Sequence, residues 1–124
     1  MGGYIKVDAK RVETTALNTK INKEVLDNFK IYCKELGYPL NVLLETFMRQ
    51  YANGRFNIEH DEILKWKKDD AEKDTLNTTF NKEIYTGFKT ICKDNGYFVK
   101  HVVTAFMDEF SNRELVMEFT KLKE

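Results

Sequence analysis

Two related segments organise this sequence: Leu17-Asn18-Thr19-Lys20-Ile21-Asn22-Lys23-Glu24 and Leu76-Asn77-Thr78-Thr79-Phe80-Asn81-Lys82-Glu83. The second begins 59 positions after the first, and the register then continues without a gap through Glu59 and Glu118. Identical residues along this register include the pairs Cys33/Cys92 and Gly37/Gly96. A repeat of this length is typical of a supersecondary unit that has been duplicated within one chain.

Each copy begins with alternating residues, which predict a strand. In the first copy, Leu17, Thr19 and Ile21 would share one face of a strand over residues 16–21. A strand this short is not stable alone, so we expect it to pair antiparallel with the second copy, which contains Leu76, Thr78 and Phe80. The opposite face of the resulting ribbon would then expose six residues: Ala16, Asn18, Lys20, Thr75, Asn77 and Thr79.

Two helices are predicted after each strand. Asn22 and Asn81 are suited to cap the first helix of each copy, and Gly37 to end it in a left-handed conformation. Pro39 suits the first turn of the second helix. Helical spacing of apolar residues in the second helices predicts one shared core, built from Leu40, Leu43, Leu44, Phe47, Met48 and Tyr51 and from their copies Val99, Val102, Val103, Phe106, Met107 and Phe110.

These patterns divide the chain into five parts. We expect an N-terminal arm at 1–15, a first repeat at 16–54, a connector at 55–74, a second repeat at 75–113 and a helical tail at 114–124. In the connector, the apolar residues of 56–68 predict a short third helix or a turn followed by a helix, with Trp66 as a packing anchor. These residues are Phe56, Ile58, Ile63, Leu64 and Trp66. Residues 67–74 predict a charged linker or a solvated helix end. The fold class is therefore mainly α with a two-stranded antiparallel β-ribbon.

Composition sets limits on the function. The 20 Lys/Arg and 20 Asp/Glu residues cancel, so the overall charge gives no argument for nucleic-acid binding. No apolar run approaches the roughly 18 residues of a membrane helix, and no secretion signal is visible. The two cysteines lie on apolar stripes, which favours buried thiols in a reducing cytoplasm; we expect a cytoplasmic protein that does not enter membranes.

Residues of the kinds that carry out catalysis are not arranged for it in this sequence. No nucleophile–base pair, glycine-rich phosphate loop or metal-ligand spacing of Cys and His occurs. We therefore expect neither an enzyme nor a bound metal or cofactor.

The exposed face of the predicted ribbon indicates a different chemistry. A two-stranded ribbon fits the DNA major groove, where Asn can bond adenine, Lys can bond guanine, and Thr can donate, accept or contact a methyl group. Asn is disfavoured in strands, yet Asn18 and Asn77 recur at the same outward position. This pattern favours contact with DNA bases over a generic exposed strand.

The strand, the Asn-Lys-Glu helix start, the Gly-Tyr turn and the second apolar helix together resemble the ribbon-helix-helix family of DNA-binding proteins. The resemblance covers residues 16–53 and 75–112. In that family two chains each give one strand to a shared ribbon in the major groove. Two copies in one chain imply an intramolecular pseudo-dimer, and the implied base-contacting residues are Ala16, Asn18, Lys20, Thr75, Asn77 and Thr79.

The resemblance also implies sites for DNA phosphates at the starts of the second helices. These would be the amides of Leu40 and Asn41 and those of Val99 and Lys100, with Lys100 adding charge. The family often has a Ser or Thr cap where this chain has Pro39 and Phe98. Two lysines at the starts of the first helices are further phosphate contacts or, equally, solvated side chains: Lys23 and Lys82.

The leading prediction is a sequence-specific double-stranded DNA-binding protein that acts as a repressor-type transcriptional regulator. Because the two strands differ, one chain would bind a non-palindromic sub-site, and further copies would bind adjacent sub-sites. The alternatives are an accessory factor for plasmid transfer or partition, an antitoxin-type module that binds a protein partner through 55–70 or 114–124, and a helical bundle without a nucleic-acid role.

Overall fold

The structure, a computed structural model, describes residues 12–113 of the 124-residue chain. In this part of the chain the elements follow the order β1 (Thr14–Asn22), α1 (Lys23–Leu36), α2 (Leu40–Ala52), α3 (His60–Leu64), a 3-10 turn (Lys65–Lys68), β2 (Lys73–Asn81), α4 (Lys82–Asp94) and α5 (Val99–Ser111). The described residues are mainly helical with one two-stranded antiparallel sheet, which confirms the predicted fold class at this level. The predicted tail and most of the predicted arm lie outside the described residues.

The β1–β2 ribbon is longer than the sequence pattern indicates. Its pairing extends from Thr14 opposite Asn81 to Asn22 opposite Lys73, so it includes residues assigned above to the arm and to the charged linker. Backbone hydrogen bonds continue the pairing at both ends, from Lys23 N–H to the Glu72 carbonyl and from Lys82 N–H to the Glu13 carbonyl, each 2.9 Å. Backbone pairing does not require apolar side chains, so the polar strand ends carry no hydrophobic signal in the sequence.

The side chains alternate across the ribbon as predicted. Leu17, Ile21, Leu76 and Phe80 are buried against the helices, and the threonines between them, Thr19 and Thr78, are half-buried. This alternation leaves the other face of the ribbon exposed.

Predicted capping residues set the starts and ends of the helices. The side chains of Asn22 and Asn81 accept hydrogen bonds of 3.0 Å from the amides three residues later, which fixes the starts of α1 and α4. Gly37 ends α1 with a φ of 81°, a conformation that a side chain would strain. Pro39 lies one position earlier than predicted, because it is the N-cap of α2 and not its first helical residue.

The core is made by helices from both repeats. α1 packs mainly on α5, and α2 packs mainly on α4. The second helices of both repeats contribute fully buried side chains, among them Phe47, Met48, Phe106 and Met107. Burial of one such side chain contributes on the order of 1.5–3 kcal/mol relative to its exposure, so this helical layer is the main support of the ribbon.

The connector packs against the second repeat. α3 and the 3-10 turn contact α5, Ile58 and Ile63 are buried, and Trp66 is half-buried against the core. Both elements lie within residues 56–68, and Trp66 packs against the core of the same chain. No helix within residues 12–113 is long and apolar enough to cross a lipid bilayer.

Both cysteines are buried and free. Desolvation raises the pKa of the Cys33 thiol to about 11 and that of the Cys92 thiol to about 12. Both therefore remain protonated and unreactive at neutral pH, as expected of core residues.

Candidate nucleic-acid interface

The six residues predicted to contact bases lie together on the exposed face of the ribbon. All six are exposed, and they form three directly opposed cross-strand pairs: Ala16 with Thr79, Asn18 with Asn77, and Lys20 with Thr75. Asn18 and Asn77 form the middle pair. The face therefore has an amide pair at its centre, a lysine near one end and only small side chains near the other.

Two further residues extend this face beyond the predicted set. Thr14 and Lys73 are exposed and lie on the same face of the ribbon as the six. Thr14 is opposite Asn81, and Lys73 is opposite Asn22. The apolar alternation does not extend to these ends of the strands, so the sequence pattern carried no signal for them. None of these eight residues is acidic, and neither are their partners Asn22 and Asn81, so the face offers hydrogen-bond donors and acceptors without repelling phosphate.

No side chain caps the starts of the second helices, where the phosphate sites are predicted. Pro39 and Phe98, the N-caps of α2 and α5, adopt extended backbone conformations and make no side-chain capping hydrogen bond. The first amides of a helix have no partner within the helix, so the amides predicted to bind phosphate, those of Leu40, Asn41, Val99 and Lys100, are not satisfied by a cap.

Both second helices contact the ribbon, α2 at β2 and α5 at β1. The Glu45 carboxylate in α2 accepts a 2.6 Å hydrogen bond from the Asn81 amide at the end of β2. On the other flank, Lys100 and His101 of α5 line the same cavity as Lys20 of β1. The start of α5 therefore lies near the exposed ribbon face, whereas α2 contacts the ribbon through Glu45 in its second turn.

The two lysines predicted as phosphate contacts at the first helices have acidic neighbours. Lys23 Nζ lies 2.9 Å from Asp27 Oδ2, and Lys82 Nζ lies 3.6 Å from Glu13 Oε1. The Asp27 hydrogen bond and its charge raise the pKa of Lys23, so this lysine stays charged. Exposed ion pairs of this kind are weak, and each lysine can exchange its carboxylate for another anion.

Within residues 12–113, no group of three or more His, Cys, Asp or Glu side chains is arranged to hold a metal ion. Comparisons with protein-family models, curated proteins and solved structures find no significant match to this chain. The functional assignment therefore depends on the chemistry of the ribbon face and its flanks.

Proposed function

We propose that this chain is a tandem ribbon-helix-helix protein that folds as an intramolecular pseudo-dimer and binds double-stranded DNA sequence-specifically. In this proposal the ribbon enters the major groove, its outward side chains contact base edges, and helix starts hold flanking phosphates. The biological role is that of a repressor-type transcriptional regulator. The observation that carries the proposal is the exposed ribbon face, with three opposed pairs of mostly polar side chains and no acid.

Contacts between the two repeats come in equivalent pairs, related by the 59-residue repeat, and this supports the pseudo-dimer. Asn18 and Asn77, which are equivalent in the two repeats, lie opposite each other at the ribbon centre. The hydrogen bond from Lys23 N–H to the Glu72 carbonyl has its equivalent in that from Lys82 N–H to the Glu13 carbonyl. The packing of α1 on α5 is likewise equivalent to that of α4 on α2.

The width and chemistry of the ribbon favour DNA as the ligand. The major groove admits a two-stranded ribbon, and an Asn side chain can bond both N6 and N7 of adenine. Such a bidentate contact contributes about 1–3 kcal/mol of discrimination against the wrong base. The unequal ends of the ribbon, Ala16 with Thr79 and Lys20 with Thr75, favour a non-palindromic sub-site for one chain, with further copies on adjacent sub-sites.

The connector is a poor surface for the alternative of an antitoxin-type module. Its apolar residues Ile58 and Ile63 are buried, and Phe56 and Trp66 are packed against the core of the same chain. A partner protein would have to displace these contacts to use them. The other predicted partner segment, 114–124, lies outside the described residues.

The test begins with selection of bound fragments from a genomic DNA library by the purified chain. The selected site is then used to measure affinity and base preference for the double variant Asn18→Ala/Asn77→Ala. Loss of both amides should weaken binding to the selected site at least tenfold and relax its central base preference. Asn57→Ala, a change at an exposed asparagine outside the ribbon, serves as the control.

Unchanged affinity and base preference in the double variant would contradict the assignment of the ribbon as the base-contacting element. The position of the selected sites, near promoters or near a transfer or partition origin, separates the transcriptional role from that of a plasmid accessory factor.

A further inference from the structure

A cavity of about 90 Å³ lies beside the ribbon, where β1, the 3-10 turn and α5 meet. Its lining includes Lys20 from β1, Trp66 and Lys67 from the turn, and Lys100 and His101 from α5. The connector thus brings Trp66, Lys67 and Asp69, which the repeat pattern does not contain, to the flank of the ribbon. The volume is room for several water molecules, and therefore for one phosphate group.

Positive charge dominates this cavity. Four lysines line it, and Asp69 is the one carboxylate among its lining residues. Asp69 is already paired, because Lys73 Nζ lies 3.2 Å from its Oδ2 and Asn22 Nδ2 donates to the same oxygen at 3.1 Å. Within the described part of the chain, the remaining lysines, Lys20, Lys67 and Lys100, have no carboxylate within salt-bridge distance.

Trp66 adds a hydrogen-bond donor that lacks an acceptor. Its indole Nε1 is buried and has no hydrogen-bond partner among the described residues. A buried N–H without an acceptor costs on the order of 1–3 kcal/mol. Trp66 also lines the cavity, so this donor belongs to a side chain that borders the basic volume.

His101 lines the same cavity, and its pKa depends on the charges around it. Burial lowers its pKa, and the charges of Lys100 and Lys67 lower it further. Lys67 in the turn therefore acts on the same volume as Lys100 at the start of α5, and that volume favours an anion.

We propose that Lys67, Lys100 and Lys20, beside the Trp66 side chain, form a phosphate-binding site that holds one backbone phosphate of the DNA bound by the ribbon. This proposal rests on the proposed function for the identity of the phosphate. It adds a DNA backbone phosphate to the contacts of Lys20, and it gives the connector a direct part in DNA binding.

The other flank of the ribbon is built differently. The residues 59 positions from Lys20, Lys100 and Thr104 are Thr79, Asn41 and Glu45. Thus two of the lysines are replaced by neutral residues, and a threonine of the cavity lining is replaced by an acid. Within residues 12–113, this basic cavity therefore occurs only on the α5 side of the ribbon. A phosphate held there orients the chain on an asymmetric DNA site.

The first test measures DNA affinity against salt concentration for Lys67→Gln, with Lys68→Gln as the control. Lys68 is the next residue of the same turn, carries the same charge and does not line the cavity. We expect Lys67→Gln to weaken binding several-fold for specific and non-specific DNA alike, and to reduce the slope of log affinity against log salt by about 0.9. Equal slopes for Lys67→Gln and Lys68→Gln would overturn the proposal.

The second test does not require DNA. Trp66 is the one tryptophan of the chain, so its indole N–H gives a single resonance in a nitrogen–proton correlation spectrum. Inorganic phosphate, added against sodium chloride of equal ionic strength, should shift this resonance in the wild type and in Lys68→Gln. The shift should be lost in Lys67→Gln; a shift of equal size in that variant would overturn the site.

The two tests separate the two proposals. If the wild type selects no DNA, the proposed function fails, and the identity of the phosphate as a DNA phosphate fails with it. The phosphate titration still decides whether the cavity binds the group. If DNA is bound with an unchanged salt slope in Lys67→Gln, the proposed function stands and this inference fails.

Discussion

Phe47 stacks on Phe106, with ring centroids 4.0 Å apart and ring planes 13° from parallel. The two residues are equivalent in the two repeats. Each also contacts the first helix of the other repeat edge-on, Phe106 with Phe29 at 5.8 Å and Phe47 with Phe88 at 5.7 Å. All four side chains are fully buried. Neither repeat can therefore keep this part of its core without the other.

Truncation at this stack should destabilise the whole molecule. Phe106→Ala is expected to lower the free energy of unfolding by about 3–5 kcal/mol, because it removes buried surface and leaves a cavity between the repeats. Phe98→Ala, at a side chain that is 66% exposed, should change it by no more than about 0.5 kcal/mol. Urea denaturation followed by circular dichroism measures both. Equal effects of the two changes would contradict the shared core.

The cysteines provide a separate test of whether the repeats unfold together. Cys33 in α1 and Cys92 in α4 are both buried, and their raised pKa values keep them protonated at neutral pH. We expect both thiols to become reactive at the same urea concentration in a pulse-labelling experiment, with the labels located by mass spectrometry of peptides. Labelling of one thiol well before the other would indicate that one repeat opens independently.

The parts of the fold that depend on local pattern could be predicted from the sequence. Alternation gave the inward and outward faces of the ribbon, and the caps Asn22, Asn81 and Gly37 gave helix boundaries. The polar ends of the strands, such as Lys73, could not be predicted in this way because backbone pairing leaves no hydrophobic signal there. The basic cavity escaped prediction because Lys20, Lys67 and Lys100 are brought together only by tertiary packing.

The predicted phosphate contacts show the same limit. Spacing identified Lys23 and Lys82 as cations at helix starts, but the sequence did not identify their pairing with Asp27 and Glu13. The Asp27 pair is an i, i+4 contact within one helix, so its spacing can be recognised in the sequence. The Glu13 pair depends on the position of β1 beside the start of α4, which only the fold determines.

If the ribbon contacts bases as proposed, making it symmetric should change the DNA sites that it selects. In Ala16→Thr/Thr79→Lys, both strands would carry Thr, Asn and Lys at their outward positions, because Ala16 is equivalent to Thr75 and Thr79 to Lys20. We expect this variant to select more nearly palindromic sub-sites than the wild type, since symmetric contacts favour symmetric half-sites. Selection from a randomised DNA library measures the change. Sub-sites of unchanged symmetry would argue against base contacts by these end positions.

Titration of His101 should report the charges around it. Burial is the main cause of its lowered pKa, and Lys100 and Lys67 add to the effect. Lys67→Gln should therefore raise the pKa of His101, whereas Lys68→Gln should leave it nearer the wild-type value, because only Lys67 is among the causes of the shift. Proton NMR titration of the imidazole measures this, with His60→Asn used to assign the two histidines.

The same shift fixes the sign of a pH effect on stability. Because the pKa of His101 is lower in the folded chain than its unfolded value of about 6.5, the unfolded chain binds the proton more readily. The contribution of His101 to stability is thus fully present above about pH 6.5 and is lost as the pH falls towards the folded pKa. Bound phosphate should raise the folded pKa of His101 and reduce this loss. The charged side chains that line the cavity with His101 are Lys20, Lys67, Lys73, Lys100 and Asp69. A His101 pKa that does not change on addition of phosphate would contradict an anion in this cavity.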